Sequence, residues 1–374
     1  MEKVKFKKIF SFEKKSKIKA GDGFKLGEGK YPFFTSSDTL SKTLDEFLFE
    51  DESLIFGTGG LASIHHCNEK FAVSTDCFVT QPIDIKSVHA KYVYFYLSGN
   101  MYLLENGFKG AGLKHISKRY IEDLEIPIPN LPIQQKIAAI LDKADELRQY
   151  NKQLIAKYDA LTQSLFLEMF GDPVRNEKDW KIKSIDSLCK EIVDCVNRTA
   201  PLSDVETEYI MIRTTNIKNL KLVFNETRYV TKAVFEKWTR RLLPKKGDIV
   251  FTREAPTGEV GIIDIDKKVF LGQRTMLFRP NLELVNNYFL MHQLAGYDVK
   301  QQISKLSSGS TVKHLSVPAC KKFNIKVPPI KLQNQFAERV QLIENQKQQA
   351  QEALEKSEDL FQSLLQRAFK GELN

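Results

Sequence analysis

The stretch LPIQQKIAAILDKADELRQYNKQLIAKYDALTQSLFLEMF, Leu131 to Phe170, has a second copy in the same chain, from Ile330 to Phe369, which begins IKLQNQFAERV and ends FQSLLQRAF. The copies align without a gap, 199 positions apart (131 to 330). Gln134 falls on Gln333, Ala138 on Ala337, Leu161 on Leu360, Gln163 and Ser164 on Gln362 and Ser363, and Phe170 on Phe369. A long repeat at one period outranks any local motif.

Both copies read as helix. In the first, Ile137, Ala144, Asn151, Tyr158 and Leu165 recur every seven residues, with Ile140, Leu147, Leu154 and Leu161 three places after them, the pattern of a coiled-coil seam. The second is less regular but phased alike: Phe336, Ile343, Ala350 and Leu364, with Val340, Leu354, Phe361 and Ala368 four places on. Pro132 suits a first helical turn, and Gly171 followed by Pro173 stops the first helix. About 38 residues at ~1.5 Å each make a rod of roughly 57 Å. A compact domain does not need such a helix in its own core, so each stripe is expected to meet its twin. Two unrelated amphipathic helices, each packed on its own domain, is the alternative. Asn151 on the seam would fix register at some cost in stability, unless it marks a surface kink.

The remainder repeats as well. VKFKKIFSF from Val4 matches WKIKSIDSL from Trp180, YPFFTSSD from Tyr31 matches YIMIRTTN from Tyr209, ESLIFGTGG from Glu52 echoes GDIVFTREA from Gly247, and GLKHIS from Gly112 matches TVKHLS from Thr311. The growing offset puts the extra residues of the second copy between its early strands, where insertions belong in loops. Expected strands are Tyr31 to Thr35, Ser53 to Phe56, Phe71 to Ser74 and Cys77 to Gln81, while Lys91 to Ser98 suits helix or strand. The expected fold is α+β. Two mixed, strand-rich domains, residues 1–130 and 172–329, alternate with two long helices, 131–171 and 330–374. The helices pair as an antiparallel coiled coil with pseudo-twofold symmetry.

A chain of 374 residues has room for two or three cores. A net charge of +9 and a pI near 9.0 favour a polyanionic partner. Five cysteines with no Cys-x-x-Cys pair argue for a reducing compartment and against a disulfide framework. The N-terminus lacks an apolar core of signal-peptide length and the longest apolar run, YVYFYL from Tyr92, is far too short for a bilayer. A soluble cytoplasmic protein with no membrane partner is expected.

The search for a catalytic constellation is negative. There is no phosphate loop, and Phe56 to Gly60 (FGTGG) reads as a tight turn more readily than as a cofactor loop, since its counterpart is FTREA. The Pro-Pro-aromatic signature of amino-methylating DNA methyltransferases is absent; Pro328 and Pro329 lie between Val327 and Ile330. His65 to Cys67 with Cys77 fits no standard zinc spacing and has no second copy, so no metal is assigned. Asp179 and Lys181 make only a fragment of a nuclease pattern.

Binding chemistry is better represented. In the first half, Thr35, Ser36 and Ser37, Thr58 and Gly59, and Lys109, Lys114 and His115 offer hydroxyls, small residues and positive charge in loops. The second-half equivalents are Arg213, Thr214, Thr215 and Asn216, then Arg253, Gln273 and Arg274, then Ser308, Ser310 and Lys313. Arg reads guanine bidentately, Asn and Gln read adenine, and Ser and Lys suit phosphates. Singly each is bland, and Arg213 or Arg253 on a strand edge is more often a solvated charge than a base reader. Recurrence carries the argument, because two readers on one scaffold should match in position and differ in side chain. Antiparallel rods would space the two readers along one duplex by at most roughly 17 base pairs. A fragment of residues 1–175 would then pair with itself and read an inverted repeat.

The segments IPIPNLPIQQKIAAILDKADEL, LTQSLFLEMFGDP and the terminal LLQRAFKGEL, set in this globule–rod–globule–rod order, resemble the specificity subunits of type I restriction-modification systems. The resemblance covers essentially the whole chain, though Arg339 and Gln346 stand where the first copy has Ile140 and Leu147. It implies a noncatalytic chain that reads a bipartite, asymmetric double-stranded DNA target. It also implies two adenine-methyltransferase (M) subunits as partners, joined by translocating nuclease restriction (R) subunits. S-adenosylmethionine, ATP and Mg2+ would then belong to those partners, with no cofactor in this chain. The competing readings are the specificity chain of a type II-like modification or restriction enzyme acting alone, and a coiled-coil scaffold for RNA or protein. Methyl transfer or cleavage by the purified chain would favour the first, and binding that ignores duplex sequence the second.

Overall fold

The computed structural model describes residues 3–224, 226–306 and 314–373. Two compact units emerge, one from Met1–Ile155 with Gln349–Asn374, the other from Ala156–Gln348, so each boundary falls inside a long helix.

In the first unit Lys3–Lys5 pairs antiparallel with Glu125–Pro127, Val4 opposite Ile126, which brings the start of the domain beside the approach to the central helix. A four-stranded antiparallel sheet follows in the order Phe10–Phe12, Cys77–Pro82, Ser53–Gly57, Ile64–Cys67. Every residue of Ser53–Gly57 is buried, as suits a central strand covered on both faces. Tyr31–Phe34 lies parallel to Ala72–Val73 in a second small sheet. Lys91 to Ser98 resolves as helix, Ala90–Gly99, with Tyr92, Val93, Phe95 and Leu97 in the core beside Phe6, Phe10 and Phe56. Phe6 stacks on Phe10 at 4.7 Å and meets Phe56 edge-on at 5.6 Å, both favoured ring geometries. The fully buried Tyr92 hydroxyl donates to the Pro127 carbonyl at 2.8 Å, and burial raises its pKa.

The second unit reuses this plan. Lys181–Ser184 pairs with Asn324–Val327, and the four-stranded sheet runs Cys189–Asp194, Thr275–Pro280, Ile249–Thr252, Val260–Ile262. Tyr209–Ile212 lies parallel to Lys268–Leu271. Its additions are a hairpin, Ile217–Lys218 with Lys221–Leu222, and the helix Lys232–Trp238, inserted between the early strands.

The helices run Leu131–Phe170 and Ile330–Lys370. The repeated Gln134 and Gln333 are fully buried and do one job twice. Gln134 accepts from the His89 amide and donates to the Ser87 and Pro129 carbonyls; Gln333 accepts from the Asn286 amide and donates to the Pro328 carbonyl. Each anchors a long helix to the start of the helix packed on it, with its own polar atoms satisfied.

In the first unit Arg148 bonds Glu358 at 2.9 Å and covers the Phe361 ring at 4.2 Å, while Asn151 donates to Ser357 at 3.4 Å. In the second, Asp159 pairs with Lys347, and Phe166 and Phe170 meet the Phe336 ring at 5.5 and 5.2 Å. Rising numbers on one helix meet falling numbers on the other, so within each unit the segments run in opposite directions.

The row of side chains on the central helix differs from the expected one. Ile137, Ala144 and Asn151 are buried and Tyr158 is half-buried, but the alternate positions lie four residues on, at Leu141, Arg148, Ile155, Thr162 and Met169. Leu147 and Leu161 are 46% and 49% exposed, and Ile140 and Leu154 only half-buried. The inward places are held by a paired arginine and a threonine, and reading for apolar residues shifts the phase by one onto exposed leucines. On the distal helix Phe336, Val340 and Phe361 are buried and Ile343, Leu354 and Leu364 half-buried.

Candidate nucleic-acid interface

In each unit the loops at one end of the four-stranded sheet are tied together by main-chain hydrogen bonds. In the first, Ser74 N donates to Phe34 O (2.8 Å), Thr58 N to Asp76 O (2.9 Å) and Ile116 N to Thr58 O (3.1 Å). In the second, Gly272 N donates to Ile212 O (2.8 Å), Arg253 N to Arg274 O (2.8 Å) and Leu315 N to Arg253 O (3.1 Å). The same three bonds thus gather the same four loops twice.

The first unit thereby assembles the loops holding Thr35, Ser36, Ser37, Thr58, Gly59, Lys109, Lys114 and His115. The Asp76 carbonyl also accepts from the hydroxyls of Ser36 (2.8 Å) and Thr58 (2.9 Å), and the Ser37 carbonyl contacts His65 Nε2 at 2.8 Å. Lys109 lies opposite His115 in a short antiparallel pair, and His115 Nδ1 is 3.1 Å from the Thr58 carbonyl. Lys109, Lys114 and His115 are exposed. Thr58 requires correction, since it is buried and its hydroxyl is committed inward. A Cβ at Gly59 would sit 3.0 Å from the His115 ring, so a larger residue there would have to displace that ring by a few tenths of an ångström.

In the second unit Arg213, Arg253, Gln273 and Arg274 share one end, but several expected readers are engaged within the protein. Arg253 is buried, ion-paired with Asp194 at 2.8 Å and donating to the Leu315 carbonyl at 3.1 Å. A buried guanidinium demands such partners, and these contacts make Arg253 a fastening between the sheet and the loop of Leu315. Asn216 is also buried, accepting from the Arg213 amide and donating to the Val223 carbonyl in a turn. The Arg213 guanidinium donates to the Glu226 carbonyl and lies 3.6 Å from the Glu226 carboxylate. Exposed positions are Thr215, Gln273, whose amide oxygen accepts from Thr199, and Arg274. Glu254 holds Arg274 at 2.6 Å and His314 at 2.7 Å. Ser308, Ser310 and Lys313 lie outside the described residues.

Sequence reading overlooked Glu254 and Asp194, whose partners are 20 or more positions away, and the lysines of Glu13–Lys19, whose Ile18 carbonyl accepts from Thr75 N at 2.7 Å. Part of the repeated Lys-His-Ile/Leu-Ser element is structural. Ile116 and Leu315 are core, and Ser117 and Ser316 cap the following helices by accepting from Tyr120 N and Ala319 N. Burial pushes the Cys77 thiol up to about 11, against thiolate character, and His66 is bonded to Glu52. Among the described residues no group of three or more His, Cys, Asp or Glu is placed to hold a metal, and no helix is long and apolar enough to cross a membrane.

Comparison with known proteins agrees with this twofold plan. The family described as type I restriction modification DNA specificity domain matches residues 1–158 and again 177–356. The chain is 26% identical over 292 residues to the type I restriction enzyme MjaVIII specificity subunit of Methanocaldococcus jannaschii, covering 73% of this chain and 68% of that one. It is 22% identical over 311 residues to the EcoBI specificity subunit of Escherichia coli, covering 76% of this chain and 65% of that one. The matched region thus spans about two thirds of these relatives. The crystal structure of a type I restriction-modification system S subunit from M. genitalium shares the fold, with a TM-score of 0.65 at 16% identity over 98% of this chain and 95% of that one. Matched in both halves by the same domain family, the chain belongs to the specificity subunits of type I restriction-modification systems.

Proposed function

We propose that this chain reads a bipartite, asymmetric double-stranded DNA target in the prokaryotic cytoplasm, one half through each unit. The observation that carries the reading is the repeated three-bond tie, which presents four loops at one end of each sheet with different side chains in each copy. The readers remaining exposed or half-exposed are Thr35, Ser36, Ser37, Lys109, Lys114 and His115 in the first unit and Thr214, Thr215, Gln273 and Arg274 in the second. Base contacts require such donors and acceptors at a loop surface. The two helices act as an antiparallel coiled coil with pseudo-twofold symmetry. Their opposed contacts within each unit support this. Two methyltransferase subunits dock on the chain, with restriction subunits in the full complex, and S-adenosylmethionine, ATP and Mg2+ belong to those partners.

Coexpression with the cognate methyltransferase subunit, followed by sequencing of methylated adenines, tests the reading. The expected motif has two specified halves around an unspecified spacer, and copurification should yield about two methyltransferase chains per copy. Replacing residues 185–323 by the matching segment of a relative should change one half of the motif only. A change in both halves, or in neither, would overturn the assignment of one half-site to each unit.

A further inference from the structure

The two loop ends differ in how their positive charge is held. In the first unit the strand Phe10–Phe12 leads into Glu13–Lys19 (EKKSKIK), which carries four lysines, Lys14, Lys15, Lys17 and Lys19, all exposed. Glu13 N donates to Val79 O (2.9 Å) and Thr75 N to Ile18 O (2.7 Å), so this segment is laced along the strand and loop that bear Asp76, the carbonyl on which the tie converges. Ser16 turns inward and its hydroxyl accepts from Ile18 N, leaving the lysines on either side facing out. These four, with Lys109 and Lys114, make no ion pair among the described residues; Lys15 lies 5.8 Å from the Phe78 ring centre. In the second unit the segment that follows the corresponding strand Cys189–Asp194, residues 195–201 (CVNRTAP), is held by the bond from Cys195 N to Thr275 O and carries one cation, Arg198. There Arg253, Arg274 and Arg213 are already matched by Asp194, Glu254 and Glu226, while the exposed Arg241 lines a small cavity with Asp194 and Cys195.

We propose that Lys14, Lys15, Lys17 and Lys19 form a phosphate-backbone anchor that gives the first unit a sequence-independent hold on duplex DNA. The proposal rests on the DNA-reading function above. Unpaired surface lysines exchange only condensed counterions for phosphates, the exchange that makes affinity depend steeply on salt. Cations already held by carboxylates must break those pairs first, and gain less.

The test uses the full chain, by fluorescence anisotropy on a random-sequence duplex and on a duplex with the methylated motif, across a salt series. The triple variant Lys14→Gln/Lys17→Gln/Lys19→Gln should flatten the slope of log affinity against log salt by roughly 2 to 3, since each phosphate contact contributes about 0.9. Between about 50 and 200 mM salt this amounts to a roughly 40-fold smaller loss of affinity than in the wild type. The loss at low salt should be equal on both duplexes, with the melting profile and methylated motif unchanged. The Lys→Arg triple should retain the wild-type slope, and Glu254→Gln, which frees Arg274 and His314, should steepen it. An unchanged slope in the Gln triple, or an altered motif, would overturn the anchor. A wild-type chain with no salt-dependent duplex binding would instead overturn the DNA-reading function itself.

Discussion

Arg253 decides between two physical roles, and Arg253→Met separates them. The residue is 7% exposed, its guanidinium lies 2.8 Å from Asp194 and 3.1 Å from the Leu315 carbonyl, and its backbone carries two of the three bonds of the tie. Methionine keeps the aliphatic length but leaves Asp194 without its counter-charge. Breaking a buried pair from one side costs about 3–5 kcal/mol. Because 27% of the Asp194 side chain stays in contact with water, the lower figure applies, about 3 kcal/mol. For a unit of this size about 1 kcal/mol moves the midpoint by roughly 2–4 °C, so the second unit should melt ~6–12 °C earlier. Differential scanning calorimetry of the full chain resolves this if the two units melt separately, with the first unit's transition unmoved. Below that transition the variant, coexpressed with the methyltransferase subunit, should still direct methylation of the wild-type motif. A variant that melts like the wild type yet loses one half of the motif would refute the argument, because Arg253 would then be reading a base.

Burial holds the His292 imidazole down at about 4, against about 6.5 in an unfolded chain. The second unit should therefore be fully stable above pH ~6.5 and lose up to ~3 kcal/mol as the pH falls from 6.5 to 4, where the unfolded chain binds the proton and the folded one resists it. His292→Phe, which copies Phe95 at the matching place in the first unit, should flatten this dependence in urea titrations at several pH values. Asn151→Leu with Ser357→Ala removes the buried polar pair between the helices, and circular dichroism melts should show the first unit stabilised by about 1 kcal/mol or more, at the expense of register. Ser117→Ala and Ser316→Ala should each cost about 1 kcal/mol of their own unit's stability by chemical denaturation, since each removes a helix cap in the same repeated element.

Much of the fold was legible because it is written twice. Expected strands at Tyr31 to Thr35, Ser53 to Phe56, Phe71 to Ser74 and Cys77 to Gln81 correspond to Tyr31–Phe34, Ser53–Gly57, Ala72–Val73 and Cys77–Pro82. Both long helices begin where the sequence placed them. The seam of the central helix was harder to read because Arg148 turns inward only in the company of Asp145, one turn away, and of Glu358 and the Phe361 ring, more than 200 positions away. The second copy held the clue, since Arg339 and Gln346, the repeat equivalents of Ile140 and Leu147, are exposed. The site was legible as loops and not as side chains. Nothing local marks Arg253 as buried or Glu254 as a clamp, because burial and pairing follow from Asp194, Leu315 and Arg274 arriving from other segments of the chain. The lysines of Glu13–Lys19 were visible as composition, but their place beside Asp76 depends on the pairing with Val79 and Thr75.

Amide-to-carbonyl stitches are indifferent to which amino acid supplies them. Each reading head is therefore hemmed by thread that mutation at the fingertips leaves intact, and a lineage can rewrite the address it answers to while keeping the tailoring of the garment.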